Sequence, residues 1–412
     1  MNESPSRVDA DRLPVLGLLM LAAAIFVCVT SEFLPTGLLP QLAADLDVST
    51  ADVGLLVTVY AGTVVVSTAP MAKLTSRLPR KPLILLALAV FAITNVATAF
   101  APSFAFVVVA RVIAGVAHGL FWAVVGAYAA HLVAKPMLAR AVAITSSGAT
   151  AAFVLGVPVG TAIGTAFDWR VAFASIGVSI VVIGLLIARF LPPVEHLVTL
   201  ATGEIPVPAR KDPTLVPVLV LCAIIIAIML GQNSFYTYIV PFLIDEAGFD
   251  PSATSGLLFL YGAAGAAGLL LVGIVGPRHP KASLIGSFVI VALSVLVIGL
   301  VPLATPVVLV SLVLWGIAFG GGPALLQTRM LQSASRALRD QASAWFTVSF
   351  NLAIGGGALL GSLVLRASDV GVLPFVESAI ILVAVVVIVL TDRMLSRRAA
   401  RPVRESAARP AA

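Results

Sequence analysis

The chain has 412 residues, of which 60% are hydrophobic and 11% charged, with a formal net charge of +6; its mean hydropathy is +1.11. Soluble domains carry about a quarter charged residues, and disordered chains combine low hydrophobicity with high charge, so both classes are excluded. What remains is a polytopic membrane protein, because one span takes about 20 apolar residues and the chain has room for many.

Twelve apolar segments follow one another, at about 14–40, 51–72, 82–101, 104–131, 138–165, 170–191, 214–244, 253–276, 282–302, 306–330, 340–365 and 371–391. A bilayer admits only helices or closed barrels, and the period-two alternation of a barrel is missing. The fold class is therefore all-α. The first segment is too long for a signal peptide and has no small-residue cleavage site, so it is expected to stay as a span. Cys28 and Cys222 both lie in apolar runs; they read as small buried hydrophobes, with no disulfide framework and no CxxC metal site.

With the N-terminus placed inside, all Lys and Arg residues except Arg111, Arg170 and Arg366 fall in inside segments. The outside loops carry Asp45, Asp47, Asp52, Asp168, Asp245, Glu246, Asp250 and Asp369 instead. This positive-inside bias predicts that both termini are cytoplasmic. The basic balance then reflects topology and anionic lipid rather than nucleic acid. The arginine-rich end after Asp392 reads as a disordered cytoplasmic tail.

The two halves repeat at a separation of 201 residues. Pro40 pairs with Pro241, Tyr60 with Tyr261, Arg77 with Arg278, Gly115 and Gly119 with Gly316 and Gly320, Gly156 and Gly160 with Gly357 and Gly361, and Asp168 with Asp369. Residues 1–191 are thus an N-terminal six-helix bundle, 192–213 a polar linker, 214–392 a C-terminal six-helix bundle and 393–412 a basic tail. A parallel six-plus-six repeat is the pattern of the major facilitator fold, whose bundles rock about a central site. A twelve-helix channel or scaffold would need neither the paired glycines nor the paired basic loops.

Glu32, in the first span, is the one carboxylate well inside the N-terminal half. It lies about 27 Å along the helix from Pro14 at 1.5 Å per residue. An ionised carboxylate there costs a few kcal/mol, so the position suits a group that gains a proton on one face and loses it on the other; a structural acid at the outer interface is the alternative. Its repeat counterpart is the neutral Asn233. Arg111 opens the fourth span, and His118 follows seven residues later on the same helix face. Arg111 either reaches the depth of Glu32 or snorkels to the outer headgroups. His118 either relays a proton or substrate contact or is a hydrogen-bonded structural residue.

Gly156, Pro158 and Gly160 mark the fifth span, where small residues allow close packing and the proline bends the helix. Arg77 and Arg80 lie in a basic loop after the second span, with Ser76 before the first of them; Ser76 either caps a facing helix end or belongs to a plain positive-inside loop. Polar and aromatic residues on otherwise apolar spans face the bundle interior. The candidates for a cavity lining are Tyr60, Trp122, Gln232, Asn233, Tyr236, Tyr238, Gln327, Trp345 and Asn351, each equally suited to packing. Glu377 is expected near the outer surface, as a weaker second proton site.

The stretches TSEFLPTGLLPQLAADLDVS, KLTSRLPRKP, RVIAGVAHGLFWAVVGAYAAHL and LGVPVGTAIG followed by DWRVAF together resemble the twelve-helix drug:proton antiporters of the major facilitator superfamily. The similar branch is the bacterial exporters of sugars, nucleosides and phenicols. The resemblance covers almost the whole chain. It implies proton coupling at Glu32 with the arginine of the fourth span, Arg111, and an antiporter motif on the fifth. It also implies that the basic loop holds one conformational state, although Ser76 stands where the family has an acidic residue.

No phosphate-cradling GxxxxGK[ST], HExxH or nucleophile elbow occurs, so enzyme function and ATP coupling are not expected. The expected activity is proton-coupled export of a small amphipathic drug or antibiotic, phenicol-like, by antiport. Export of a sugar or nucleoside by the same fold is the alternative, and a non-transporting sensor the third. No cofactor or metal is expected. The expected partners are the solute, protons and lipid, with the chain a monomer.

Overall fold

The computed structural model describes residues 14–133, 137–194, 212–335 and 338–407. Most of the linker, the basic residues Arg7, Arg12, Lys135, Arg210, Lys211, Arg336 and Arg409, and the last residues of the tail lie outside them. Every described element is helical. The first half comprises α1 (Val15–Gly37), α2 (Leu39–Asp45), α3 (Thr50–Leu74), α4 (Arg80–Ala99), α5 (Phe104–Leu132), α6 (Leu138–Ala151), a π turn (Ala152–Gly156), α7 (Val157–Ala166) and α8 (Trp169–Phe190). The second comprises α9 (Leu215–Tyr236), α10 (Ile239–Asp245), α11 (Thr254–Val275), α12 (Pro280–Leu300), α13 (Thr305–Gly320), α14 (Gly322–Ser333), α15 (Arg339–Ala367) and α16 (Leu373–Ala407). Twelve helical stretches are long and apolar enough to cross a membrane, so this is a multi-pass membrane protein.

Local chemistry sets the helix ends. Ser49 and Asp52 form a capping box at the start of α3, each satisfying a donor that the first helical turn leaves open. Asp168 caps α8 by accepting from the Arg170 amide. The first span breaks at Leu38, just after Pro35. The fifth is interrupted by the π turn immediately before Pro158. Pro158 offers no N–H to the carbonyl four residues back, and a widened turn accommodates its ring. Its counterpart span, α15, has Leu359 at the matching position and runs unbroken. The tenth span breaks at Gly321. The basic tail differs from expectation: α16 continues to Ala407, so residues 393–407 are helical rather than disordered.

The paired glycines do the same work in both halves. Gly115 and Gly119 bring α5 onto the backbone and small side chains of α3; Gly316 and Gly320 bring α13 onto the backbone of α11. Gly156 and Gly160 seat the fifth span on α1, and Gly357 and Gly361 seat α15 on α9. Each position lacks room for a β-carbon without displacing a neighbour, which is why van der Waals packing at membrane helix crossings selects small residues.

The halves meet along two seams, α3 against α15 and the fifth span against α11. Thr58 donates to the Gly355 carbonyl at 2.9 Å, and Gly262 lies against the Phe153 carbonyl in the π turn. At the face away from the termini, here called the distal face, Arg366 of α15 pairs with Asp52 of α3. That ion pair joins the halves. A second distal pair, Arg170 with Asp45, stays within the first half.

Candidate functional site

Glu32 lies in the stretch of α1 that is buried on all sides, and its residue is 5% exposed. Its Oε2 is 3.4 Å from Nε2 of His118 on α5. The opposite ring nitrogen, Nδ1, is 2.7 Å from the Tyr60 hydroxyl of α3. The Trp122 indole, one turn along α5, donates to His118 Nε2. An indole N–H only donates, so that nitrogen accepts and Nδ1 carries the hydrogen toward Tyr60. The carboxyl of Glu32 lies beside that nitrogen, whose one lone pair is taken by the indole in this state. His118 is 0% exposed, and Phe91 and Phe121 add ring contacts.

Arg111 lies two turns inside α5 rather than at its opening, and is 3% exposed. This decides against the snorkelling alternative. Its Nη1 donates to the Ser31 carbonyl at 2.8 Å, one residue from Glu32. The guanidinium also sits 5.0 Å from the Phe173 ring and 5.8 Å from the Tyr60 ring, where aromatic faces stabilise a cation. Ser31 in turn donates to Asn95 Oδ1 at 2.9 Å, and the Asn95 amide is anchored on the Phe91 carbonyl at 2.8 Å. Five helices, α1, α3, α4, α5 and α8, therefore converge on one carboxyl group, one imidazole and one guanidinium. Glu32, His118, Arg111, Tyr60 and Trp122 come together as one cluster. Ser31, Asn95 and Phe173 were not singled out by the sequence; Asn95, polar in an apolar run, carried the one usable signal.

The second half presents a neutral counterpart. Gln232 donates from Nε2 to the Tyr261 hydroxyl at 3.1 Å and accepts from the Trp315 indole at 2.9 Å. Tyr236 packs on Tyr261, and Phe235 stacks on Trp315. Trp315 was missed from the sequence because nothing marks which face of α13 it occupies. An aromatic path links the two clusters: Phe33 of α1, Phe153 of the π turn and Tyr236 of α9 lie in succession with centroids 4.8 and 6.3 Å apart.

Other candidates lie elsewhere. Asn233 turns onto its own helix, donating to Met229 at 2.8 Å, and Asn351 does the same to Thr347 at 3.0 Å. Gln327 is exposed on α14, and Trp345 packs half-buried against the core. Tyr238 bonds the Ala358 carbonyl at 2.9 Å and lies against Gly54 of the first half. Arg77 is exposed in the turn after α3, and Arg80 opens α4. Ser76 caps its own helix, donating to the Lys73 carbonyl at 2.9 Å, rather than a facing one. Gly156, Pro158 and Gly160 form the π turn and its exit, beside Thr30 and Leu34 of α1. Glu377 lies one turn from the distal start of α16, where the sequence put it, but is enclosed by neighbouring helices at 0% exposure.

The family model of the Major Facilitator Superfamily matches residues 21–358 and 221–410. The chain belongs to the major facilitator superfamily. Among its relatives, the "Probable sugar efflux transporter" of Helicobacter pylori (strain G27) is 30% identical over 374 residues, covering 91% of this chain and 94% of that one. The like-named protein of Helicobacter acinonychis (strain Sheeba) is 31% identical over 373 residues, covering 90% and 94%. Similar solved structures include the nucleoside transporter NupG, at a TM-score of 0.75 and 14% identity over 92% of this chain and 99% of that one. A D-xylose–proton symporter matches at 0.74 and 16%, over 91% and 96%. These likenesses show the fold. With the family, they make this chain a transporter of the superfamily.

Proposed function

We propose that this transporter exports a small sugar-like solute in exchange for protons, with Glu32 as the proton carrier. The observation that carries the reading is the contact between Glu32 and His118 inside a sealed cluster that also holds Arg111. A carboxyl and an imidazole at 3.4 Å stand close enough to exchange a proton once the Trp122 indole yields its place on Nε2, and the nearby guanidinium stabilises the carboxylate left after release. Tyr60 and Trp122 fix the imidazole orientation.

The sugar class is supported by the relatives' names and by the chemistry of the second half. Gln232, Tyr261 and Trp315 combine amide, hydroxyl and indole groups with flat apolar rings, which suits a polyhydroxylated ring. An amphipathic drug is the second reading, favoured by the continuous aromatic path through Phe33, Phe153 and Tyr236.

In this cycle the solute enters from the cytoplasm and binding displaces the proton of Glu32. The bundles rock, the solute leaves, and Glu32 takes a proton from outside. Both ligands bias the same conformational equilibrium, which makes the exchange coupled. The distribution of Lys and Arg supports an inner-membrane location with cytoplasmic termini. A monomer driven by the proton gradient, without a cofactor, completes the reading.

The test is a proton-efflux assay in inverted membrane vesicles holding a respiratory pH gradient. Pentoses, purine nucleosides, phenicols and lipophilic cations are added one class at a time. Collapse of the gradient by pentoses, lost in Glu32→Gln, supports the reading. A response to phenicols alone replaces the sugar with the drug, and a response that survives Glu32→Gln removes Glu32 from the coupling.

A further inference from the structure

The second half holds a carboxyl group that this cycle does not use. Glu377 lies one turn into α16. It is 0% exposed, and neither side-chain oxygen has a hydrogen-bond partner. The helix around it is tightly held. Its backbone carbonyl faces Gly231 of α9, where a β-carbon would stand 3.4 Å away. Ser378, the next residue, donates to the Ala292 carbonyl of α12 at 3.0 Å. Tyr261 of α11 is within electrostatic reach of the carboxyl, and Tyr261 is itself bonded to Gln232. Glu377 therefore stands behind the polar network of the second half, as Glu32 stands within that of the first.

A buried carboxylate without a donor is not sustained, so in this state the group is held as the neutral acid. The fold does not demand an acid there. The residue 201 positions earlier is Ile176, an ordinary buried hydrophobe on α8. An ionisable group kept inside a membrane bundle, unpaired and unneeded for packing, is a functional feature by default.

The surrounding charges do not neutralise it. Tyr261 and, beside it at 5.2 Å between ring centroids, Tyr236 of α9 are the near titratable groups. Cys222 of α9 is about 14 Å further along the helix from Gly231 at 1.5 Å per residue. The one charged residue of α12, Lys281, is at its opposite end. Arg366, at the distal end of α15, is already paired with Asp52.

We propose that Glu377 is a second proton-carrying site, on the second half as Glu32 is on the first. This rests on the antiport reading above. A hydronium ion gives its proton to an oxygen of ionised Glu377, leaving water and the neutral acid. When the halves rearrange and water reaches α16, the O–H bond breaks, the carboxylate returns and the proton leaves to that water. No other bond changes.

The test is an infrared pH titration of the full chain reconstituted in phosphatidylethanolamine–phosphatidylglycerol vesicles. It follows the carboxylic-acid C=O bands of the wild type, Glu32→Gln, Glu377→Gln and Glu377→Ile. Two bands are expected to disappear as the pH is raised. One is absent from Glu32→Gln, the other from both Glu377 variants. Glu377→Ile carries the residue of the other half, so agreement between the two variants excludes a folding artefact. If the Glu377 variants titrate as the wild type does, or the Glu377 band of the wild type persists unmoved at all pH values, the second site is overturned while antiport through Glu32 stands. If the Glu377 band titrates and the Glu32 band does not, the second site stands and the assignment of Glu32 falls.

Discussion

His118 Nε2 lies 3.4 Å from Glu32 Oε2, bringing a histidine of α5 against the carboxyl group of α1 with the Arg111 guanidinium one residue away. The contact joins the two groups best suited to hold and release a proton within the first half.

Glu32→Gln is expected to keep the fold and solute binding, because the amide replaces the carboxyl at equal size. Proton movement driven by solute should fall below detection, while solute counterflow without a pH gradient persists. The check is to measure both in the same proteoliposomes. Loss of counterflow as well would make Glu32 a binding or structural residue.

His118→Phe introduces the residue that the second half carries at the matching position, Phe319. The ring packing against Phe91 and Tyr60 is kept and the proton partner is lost. Active export should drop by about a hundredfold or more, the usual worth of a positioned acid–base group. Thermal stability should fall by about 1–3 kcal/mol, because the buried Tyr60 hydroxyl and the Trp122 indole lose their partner. A melting curve and an uptake assay on one preparation separate the two effects.

Asp52→Asn removes the ion pair to Arg366 that joins the halves at the distal face. The side chains are partly exposed, at 50% for Arg366 and 33% for Asp52, and such pairs contribute roughly 0–1 kcal/mol. The distal-open state should gain population by up to about fivefold. Spin-label distances across the distal ends of α3 and α15 would report it. An unchanged distance distribution would assign the closure to packing between α3 and α15 alone.

Gly320→Ala places a β-carbon against the Gly265 backbone of α11, which has no side chain to give way. Overpacking of this kind costs about 1–3 kcal/mol, so the variant should melt several degrees lower. Gly286→Ala is the control, since nothing lies within 4 Å of its β-position. Equal melting of the two would mean that α13 and α11 separate without cost.

Asp212, outside the spans, accepts from the Ser335 and Thr214 hydroxyls and from the Thr214 amide at 2.8 Å. These hydrogen bonds hold its carboxyl below the usual range, that from Ser335 first. A lowered folded-state value stabilises above the unfolded value and is lost as pH falls through the folded one. The tie between the start of α9 and the turn after α14 should thus be intact at neutral pH and weaken in acid. Asp212→Asn should flatten that acid limb of the melting temperature. A parallel decline in wild type and variant would remove Asp212 as its source.

The sequence reached Glu32, Arg111 and His118 because charged and titratable residues are rare in apolar spans, and each one stands out. It did not reach Trp315 or Phe153, because an aromatic in an apolar helix looks the same whether it faces lipid, a neighbour or a cavity. Gln327 and Asn351 were polar enough to be noticed, yet one is exposed and the other bonds its own helix. Polarity marks a residue as unusual; its partners decide what it is for.

Span number, the internal repeat and the expected orientation are one-dimensional properties. The bilayer forces each apolar run of about 20 residues into a helix, and paired glycines at one separation reveal the duplication, so these could be read from residue order. The site was decided by tertiary structure. Glu32 on α1, Tyr60 on α3, Asn95 on α4 and Arg111 and His118 on α5 meet only because close helix crossings set the rotation and depth of each helix. The burial of Glu377 followed the same rule: its place near a helix end suggested an exposed acid, and the packing of α9 and α12 against α16 enclosed it.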